Sequence, residues 1–186
     1  MKIHRIPFTQ IEQLSARDVA YATQDERLRP FYKYPTTLEA FAQVIADKQE
    51  EEIDRQQLVD SLEKQYSQLA PSLLSEQQIQ RLGQSNTFTI VTAHQPSLFT
   101  GPLYFIIKIC STINLARLLN ETYPDFHFVP LFITGGEDHD FEEINHLHLF
   151  GNTISWQSGQ EGAVGAMSTE SLKAPLAELK DILGDS

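Results

Sequence analysis

The sequence predicts an α/β fold, a parallel sheet core preceded by a helical appendage. Three observations predict it. Residues 87–93 and 126–134 are short apolar runs, the first rich in β-branched residues, as in strands covered on both faces. Residues 102–120 between them are apolar at helical spacing, long enough for the crossover that joins two parallel strands. Residues 36–83 ahead of them repeat apolar residues at helical spacings. The domains expected are therefore an N-terminal segment with its helical appendage at 1–85, and a core at 86–186 that is incomplete at its C-terminus.

Composition narrows the function classes. The chain has 186 residues, 14 of them basic and 25 acidic, for a net charge of -11. An acidic surface argues against general nucleic-acid or anionic-membrane binding, which needs basic side chains. It leaves room for a small phosphate ligand held by local donors. The single cysteine, Cys110, falls in the apolar helix and reads as a small core residue. One cysteine supports neither an internal disulfide nor a zinc–thiolate cluster. No apolar signal region stands at the N-terminus, and Lys108 interrupts the most apolar run, 103–107, leaving it far too short to span a bilayer. A cytoplasmic chain is the expectation.

In chain order, residues 1–30 are irregular by pattern, with Ile3, Ile6 and Phe8 available for a short edge strand. Arg27, Arg29 and Lys33 lie among Phe31, Tyr32 and Tyr34, a patch suited to gripping another part of the protein. Thr36 or Thr37 can cap the helical stretch, and Leu38, Phe41, Ile45, Ile53, Leu62, Tyr66 and Leu69 supply its apolar face. Pro71 breaks it, and Ser75 opens a short helix over 76–82 that Gly83 ends. After the core, 147–150 and 153–157 read as a strand pair about a Gly151-Asn152 turn. Residues 159–165 read as a flexible loop. Ser168 or Thr169 caps a last helix running to 183, and Pro175 inside it suggests a separate first turn.

Two segments carry the chemistry. In the first, His94 and Gln95 stand at the end of the first strand, and Pro96 stops ladder pairing. Gly101-Pro102 then restarts the chain as a helix, with proline at a position where no N–H is needed. Ligands of open α/β sheets bind beyond the carboxyl ends of strands, and a helix N-terminus there favours an anion. His94 serves either as a backbone-satisfied loop histidine or as a donor to phosphate or developing charge. Lys108 either snorkels or aims back at the crevice. In the second, Gly135-Gly136-Glu137-Asp138-His139-Asp140 follows the second strand. It reads as a solvated turn, a carboxylate site for a divalent ion, or an acid–base set around His139. His146 and His148, two apart, make a weak metal signal.

The stretch His94-Gln95-Pro96-x-Leu98-Phe99-x-Gly101-Pro102-Leu103-Tyr104, with Lys108 after it, resembles the first signature of the bacillithiol biosynthesis cysteine-adding enzymes, the BshC family. Glu137-Asp138-His139-Asp140-Phe141-x-Glu143-Ile144 resembles the second, in the same order. The resemblance implies a Rossmann-like, nucleotidylyltransferase-like core and a cytoplasmic homodimer. It implies addition of cysteine to the amino group of glucosaminyl malate, and family members run well beyond this length, so the chain reads as a fragment. Under that reading ATP activates the carboxylate, with Mg²⁺ admitted beside it. His94, Gln95, Gly101, Tyr104 and Lys108 hold the cofactor, and His94, Asp138, His139 and Asp140 are catalytic. Two other readings stand beside it: a non-catalytic nucleotide-binding or protein-interaction module, and a metal-dependent hydrolase on the acidic–histidine cluster.

Overall fold

The computed structural model describes residues 2, 4–70 and 72–184. Ile3 of the expected edge strand, Pro71 of the expected helix break and the last two residues lie outside the described residues. The chain forms two compact units, 1–54 and 55–186. Their boundary falls ahead of the 85/86 division because two helices of the expected appendage pack on the sheet.

In the first unit a 3-10 turn at Phe8–Gln10 stands where Ile6 and Phe8 were expected to extend. Helix α1 (Ala16–Ala22) lies in a stretch whose apolar pattern is irregular. Its signal is a capping box. Ser15 Oγ accepts from the Asp18 N–H at 3.2 Å, and the Asp18 carboxylate accepts from the Ser15 N–H at 3.1 Å. A 3-10 segment, Glu26–Phe31, follows Asp25. The basic–aromatic patch beyond it closes within the unit. Arg29 donates to Tyr32 O at 2.9 Å and lies 5.3 Å from the Tyr32 ring centre. Lys33 pairs with Asp47 of helix α2 (Phe41–Gln49), which also accepts from Tyr34 Oη and from Gln43 at 2.8 Å.

These donors, Lys33 foremost, hold the Asp47 carboxyl down to about 2 from 3.8. A carboxyl whose pKa falls on folding contributes stability above its unfolded value and loses it as pH falls through the folded one. Asp47 is therefore expected to steepen acid unfolding between about pH 4 and pH 2. Asp47→Asn flattens that limb, read by circular dichroism against pH at fixed denaturant. A variant as acid-sensitive as the parent would remove Asp47 from the transition.

The helical run expected over 36–83 is three helices. α2 starts at Phe41 behind Ala40, not at Thr36 or Thr37, and no side chain caps it. Residues 50–54 interrupt the run and leave Ile53 half exposed. Their charged residues bring no apolar face to hold a further turn. α3 (Arg55–Tyr66) and α4 (Leu73–Leu82) open the second unit. α4 begins about a turn ahead of the expected 76–82, because Ser72 rather than Ser75 is its cap and accepts from the Ser75 N–H.

Strands β1 (Thr87–His94) and β2 (His127–Thr134) pair in parallel from Thr87↔His127 to His94↔Thr134. The crossover is helix α5 (Leu103–Thr122), which lies against both strands. Phe105 of α5 meets Phe132 at 5.2 Å between ring centres. Val129 packs with Val59 of α3 and with Ile79 and Leu82 of α4. Arg55 joins that layer to the strand by donating to Leu82 O at 3.1 Å and Thr87 O at 3.0 Å.

Coverage departs from expectation. Val91 and Ile133, placed in strands buried on both faces, are 50% and 49% exposed. α5 buries Thr112, Ala116 and Leu119 but leaves Leu103 71% exposed. Cys110, expected in the core, is exposed. Two strands offer a surface only one helical stripe wide, so the rest of an apolar helix stays uncovered. With 20 residues and a mean hydropathy of 1.2, α5 is also long and apolar enough to cross a membrane by length and composition, contrary to the expectation for its start. Its covered stripe rests on β1 and β2, the position of a crossover helix.

Beyond β2 come a short helix α6 (Phe141–Ile144) and an antiparallel hairpin, β3 (His146–Leu149) with β4 (Asn152–Ser155). The turn is Phe150-Gly151, both at positive φ, one residue ahead of the expected Gly151-Asn152. Helix α7 (Lys173–Leu183) follows a separate 3-10 turn at Glu170–Leu172, as the position of Pro175 suggests. Leu98, Ile144, Trp156 and Val164 form a second core. Val164 comes from the end of the loop expected to be flexible.

Candidate functional site

The parallel register brings the ends of β1 and β2 side by side. Gly135 N–H donates to His94 O at 3.0 Å, so the chain leaving β2 begins beside the chain leaving β1. Between them opens a crevice of about 350 Å³ lined by Ala93, His94, Gln95, Gly135, Glu137 and Asp138. Two larger clefts, about 500 and 590 Å³, lie along α3 and α4 and beside β2. They are lined by apolar and neutral polar side chains with two glutamates, and neither contains a histidine or a cation. The smaller crevice holds the chemistry.

His94 is held at both ring nitrogens. Nδ1 lies 2.9 Å from Gln95 O, and Nε2 lies 2.9 Å from Tyr104 Oη. A carbonyl only accepts, so Nδ1 carries the proton and Nε2 of the neutral ring accepts from the Tyr104 hydroxyl. Phe105 packs edge-on against the imidazole at 5.3 Å between ring centres. The Gln95 carboxamide donates to Glu143 of α6 at 3.1 Å. Lys108 aims back at the strand end, donating to Ala93 O at 2.8 Å with its ammonium 5.9 Å from the Tyr104 ring centre.

The loop between β1 and α5 is strained. Phe99, Thr100 and Gly101 all have positive φ, at 49°, 73° and 57°. Such conformations cost of order 1–3 kcal/mol each for non-glycine residues and gather at functional sites. Gly101, at ψ −150°, leaves no room for a side chain, since a Cβ there would lie 2.6 Å from Ser97 Cβ. Pro102 is the cap of α5 rather than its first residue, and the helix starts with no side-chain cap and no acidic residue in its first turn.

The acidic–histidine cluster divides. Glu137 and Asp138 line the crevice, whereas His139 and Asp140 are exposed and do not line it. Asp138 Oδ1 accepts from the Asp140 N–H at 3.1 Å, which turns the chain toward α6. The 163–166 segment braces this loop from behind. Val164 N–H donates to Asp138 O and Gly165 N–H to Gly136 O, both at 2.8 Å. A Cβ on Gly165 would meet Gly136 Cα at 2.7 Å, so the two backbones touch where only glycine fits. His146 and His148 sit edge to face at 5.1 Å on β3 and do not line the crevice. Among the described residues no group of three or more His, Cys, Asp or Glu is placed to hold a metal ion.

Of the residues singled out from sequence, the structure thus gathers His94, Gln95 and Asp138 in one crevice, with Tyr104 and Lys108 bonded to its wall. Gly101 shapes the approach to it. Sequence reasoning quoted Glu143 in the second motif without giving it a role, and passed over the Val164–Gly165 brace. Glu143 was one acid in a row of them, and Gly165 was one glycine in a loop rich in them.

The chain matches the family model "Bacillithiol biosynthesis BshC, N-terminal Rossmann-like domain" over residues 1–186. It is 43% identical over 169 residues to a curated protein of Flavobacterium psychrophilum named "Putative cysteine ligase BshC", covering 89% of this chain and 32% of the relative. A relative of the same name from Cytophaga hutchinsonii is 37% identical over 180 residues, covering 97% of this chain and 34% of its own length. One from Bacillus cereus is 36% identical over 132 residues, 71% of this chain and 24% of the relative. The chain spans about a third or less of the length of these curated relatives.

Proposed function

The chain belongs to the bacillithiol biosynthesis BshC family as its N-terminal Rossmann-like domain, and from that premise we propose that it carries the nucleotide and amine site of a cysteine ligase. The reaction proposed joins the carboxyl carbon of cysteine to the amino nitrogen of glucosaminyl malate. The observation that carries this reading is the crevice where β1 and β2 end, which His94, itself held by Tyr104, lines together with Glu137 and Asp138.

The site has two chemical ends. Glu137 and Asp138 suit an ammonium group, which must lose a proton before its nitrogen can attack a carbon. The N-terminus of α5 suits phosphate, because the N–H groups of Leu103 and Tyr104 precede any intrahelical partner and no acid competes for them, while Phe105 N–H donates to Pro102 O at 2.9 Å. Lys108 and Tyr104 lie on the same first turns. The residues present therefore fit ATP at this end, and ATP supplies the leaving group that makes a carboxylate electrophilic. In that arrangement His94 orients the Tyr104 hydroxyl and relays a proton at Nε2, while Nδ1 stays on Gln95 O. His139 and Asp140 act from the rim on the incoming amine, and Mg²⁺ is admitted only with phosphate oxygens sharing it. The proposal includes a cytoplasmic setting and a homodimer for the family-length protein.

The test is conjugate formation followed by mass spectrometry, with cysteine, glucosaminyl malate, ATP and Mg²⁺. This chain is assayed beside the full-length Flavobacterium psychrophilum relative. The expected product weighs the two substrates less one water. Product from the relative alone assigns turnover to the family-length protein, and product from neither overturns the substrate assignment.

A further inference from the structure

The β3–β4 hairpin sorts its side chains by the strand period of two. Ile154 is fully buried and stands opposite Leu147 in the register, so this face of the hairpin turns inward. The alternate residues share the outward face. There His146 is paired with Ser155 and His148 with Thr153, and both partners are exposed. Two imidazoles and two hydroxyls thus stand together, with no charged carboxylate, ammonium or guanidinium on either strand.

Each imidazole is anchored through one nitrogen. His146 Nδ1 lies 3.0 Å from Asn145 Oδ1, and His148 Nδ1 lies 2.9 Å from Thr153 Oγ1. An amide oxygen only accepts, so His146 Nδ1 carries the proton, and the Thr153 hydroxyl oxygen can accept from His148 Nδ1 in the same way. In that tautomer Nε2 is the bare nitrogen of both rings. Neither Nε2 has a hydrogen-bond partner among the described residues. Metal-bound histidines use this arrangement, with one nitrogen held by a protein oxygen and the other on the ion. The spacing fits too. The ring centres are 5.1 Å apart. Two imidazoles on one tetrahedral ion, each at a Zn–N distance of about 2.0–2.1 Å, have centres about 5 Å apart. The anchor of His146 is itself fixed, because Asn145 O accepts from the N–H of buried Trp156 at 2.7 Å.

We infer that His146 and His148 form a two-imidazole site for a divalent transition-metal ion of the zinc class. Imidazole donors select zinc, nickel or copper, whereas magnesium and calcium take oxygen ligands. Asn145 and Thr153 are positioning residues that hold the rings. The remaining positions on the ion fall to water or an incoming ligand, as in zinc sites that keep an open position. A site of this size agrees with the lack, among the described residues, of any metal-holding group of three or more His, Cys, Asp or Glu.

Zinc chloride titrated into this chain tests the site, followed by calorimetry and by the imidazole signals in NMR. One ion per chain is expected, moving the signals of His146 and His148 and leaving those of His94 and His139 in place. Magnesium moves neither member of the pair. His148→Ala lowers zinc affinity tenfold or more. Thr153→Val keeps both imidazoles and the side-chain shape, removes only the hydroxyl, and lowers affinity roughly tenfold. Circular dichroism checks that each variant keeps the fold, and His146→Gln provides a second ligand variant. Zinc binding that none of these variants weakens overturns the proposal. A shift at His94 or His139 in place of the pair assigns the ion to the acidic loop and also overturns it. No binding at millimolar zinc reduces the pair to an aromatic contact, with the same consequence.

Discussion

Gly101→Ala is expected to destabilise the second unit by about 3 kcal/mol and to lower its melting temperature by roughly 6–12 °C. Two costs combine. Alanine pays for a φ of 57° with ψ at −150°, a region almost confined to glycine. Its Cβ also meets Ser97 Cβ at 2.6 Å, and Ser97 cannot retreat freely because its loop leads directly into buried Leu98. The two costs separate experimentally. Gly159 has a φ of 65° with nothing within 4 Å of a Cβ, so Gly159→Ala pays for the backbone alone. Ser97→Gly in the Gly101→Ala background removes the clash and recovers that share, a coupling that a double-mutant cycle in thermal melts reads directly. Equal losses for Gly101→Ala and Gly159→Ala would mean that the Ser97 contact is not made.

His94→Ala in a family-length protein carrying this chain is expected to lower turnover a hundredfold or more, the usual scale for a positioned acid–base group. The imidazole is fixed by Gln95 O on one nitrogen and Tyr104 on the other, and Phe105 limits its tilt. Removing it frees the Tyr104 hydroxyl and empties one wall of the crevice. Tyr104→Phe keeps the ring contact, 5.2 Å between centres, and deletes only the hydroxyl. Its loss of turnover should be smaller, with the fold unchanged by circular dichroism. Unchanged turnover in His94→Ala would remove His94 from the mechanism and leave the carboxylate loop as the reactive side.

The parts of this structure legible in the sequence are those decided locally or by short-range period. The parallel β1–β2 pair follows from two apolar runs with a helical run between them, and the meeting of His94 with the Gly135 turn follows from that pairing. The family, too, is legible in the two motifs. Coverage was not legible. An apolar helix reads the same whether a sheet, another chain or nothing lies on its far side, so α5 and Cys110 were expected inside. The helical run over 36–83 showed its break at Pro71 but hid the one at 50–54, because the apolar spacings continue across it. The solvated charges at 50–54 show no glycine or proline to mark the stop. The brace at Gly165 is a backbone-to-backbone contact, and its only trace is a missing side chain, which also marks loops with no contact at all.

The sheet joins Thr87 to His127 only after α5 has intervened. During synthesis β1 is therefore made well before its partner, and α5, whose bonds are local, can form first. Until residue 134 has left the ribosome, β1 waits with both edges open beside an apolar helix. Pairing with β2 then satisfies the inner edge of β1.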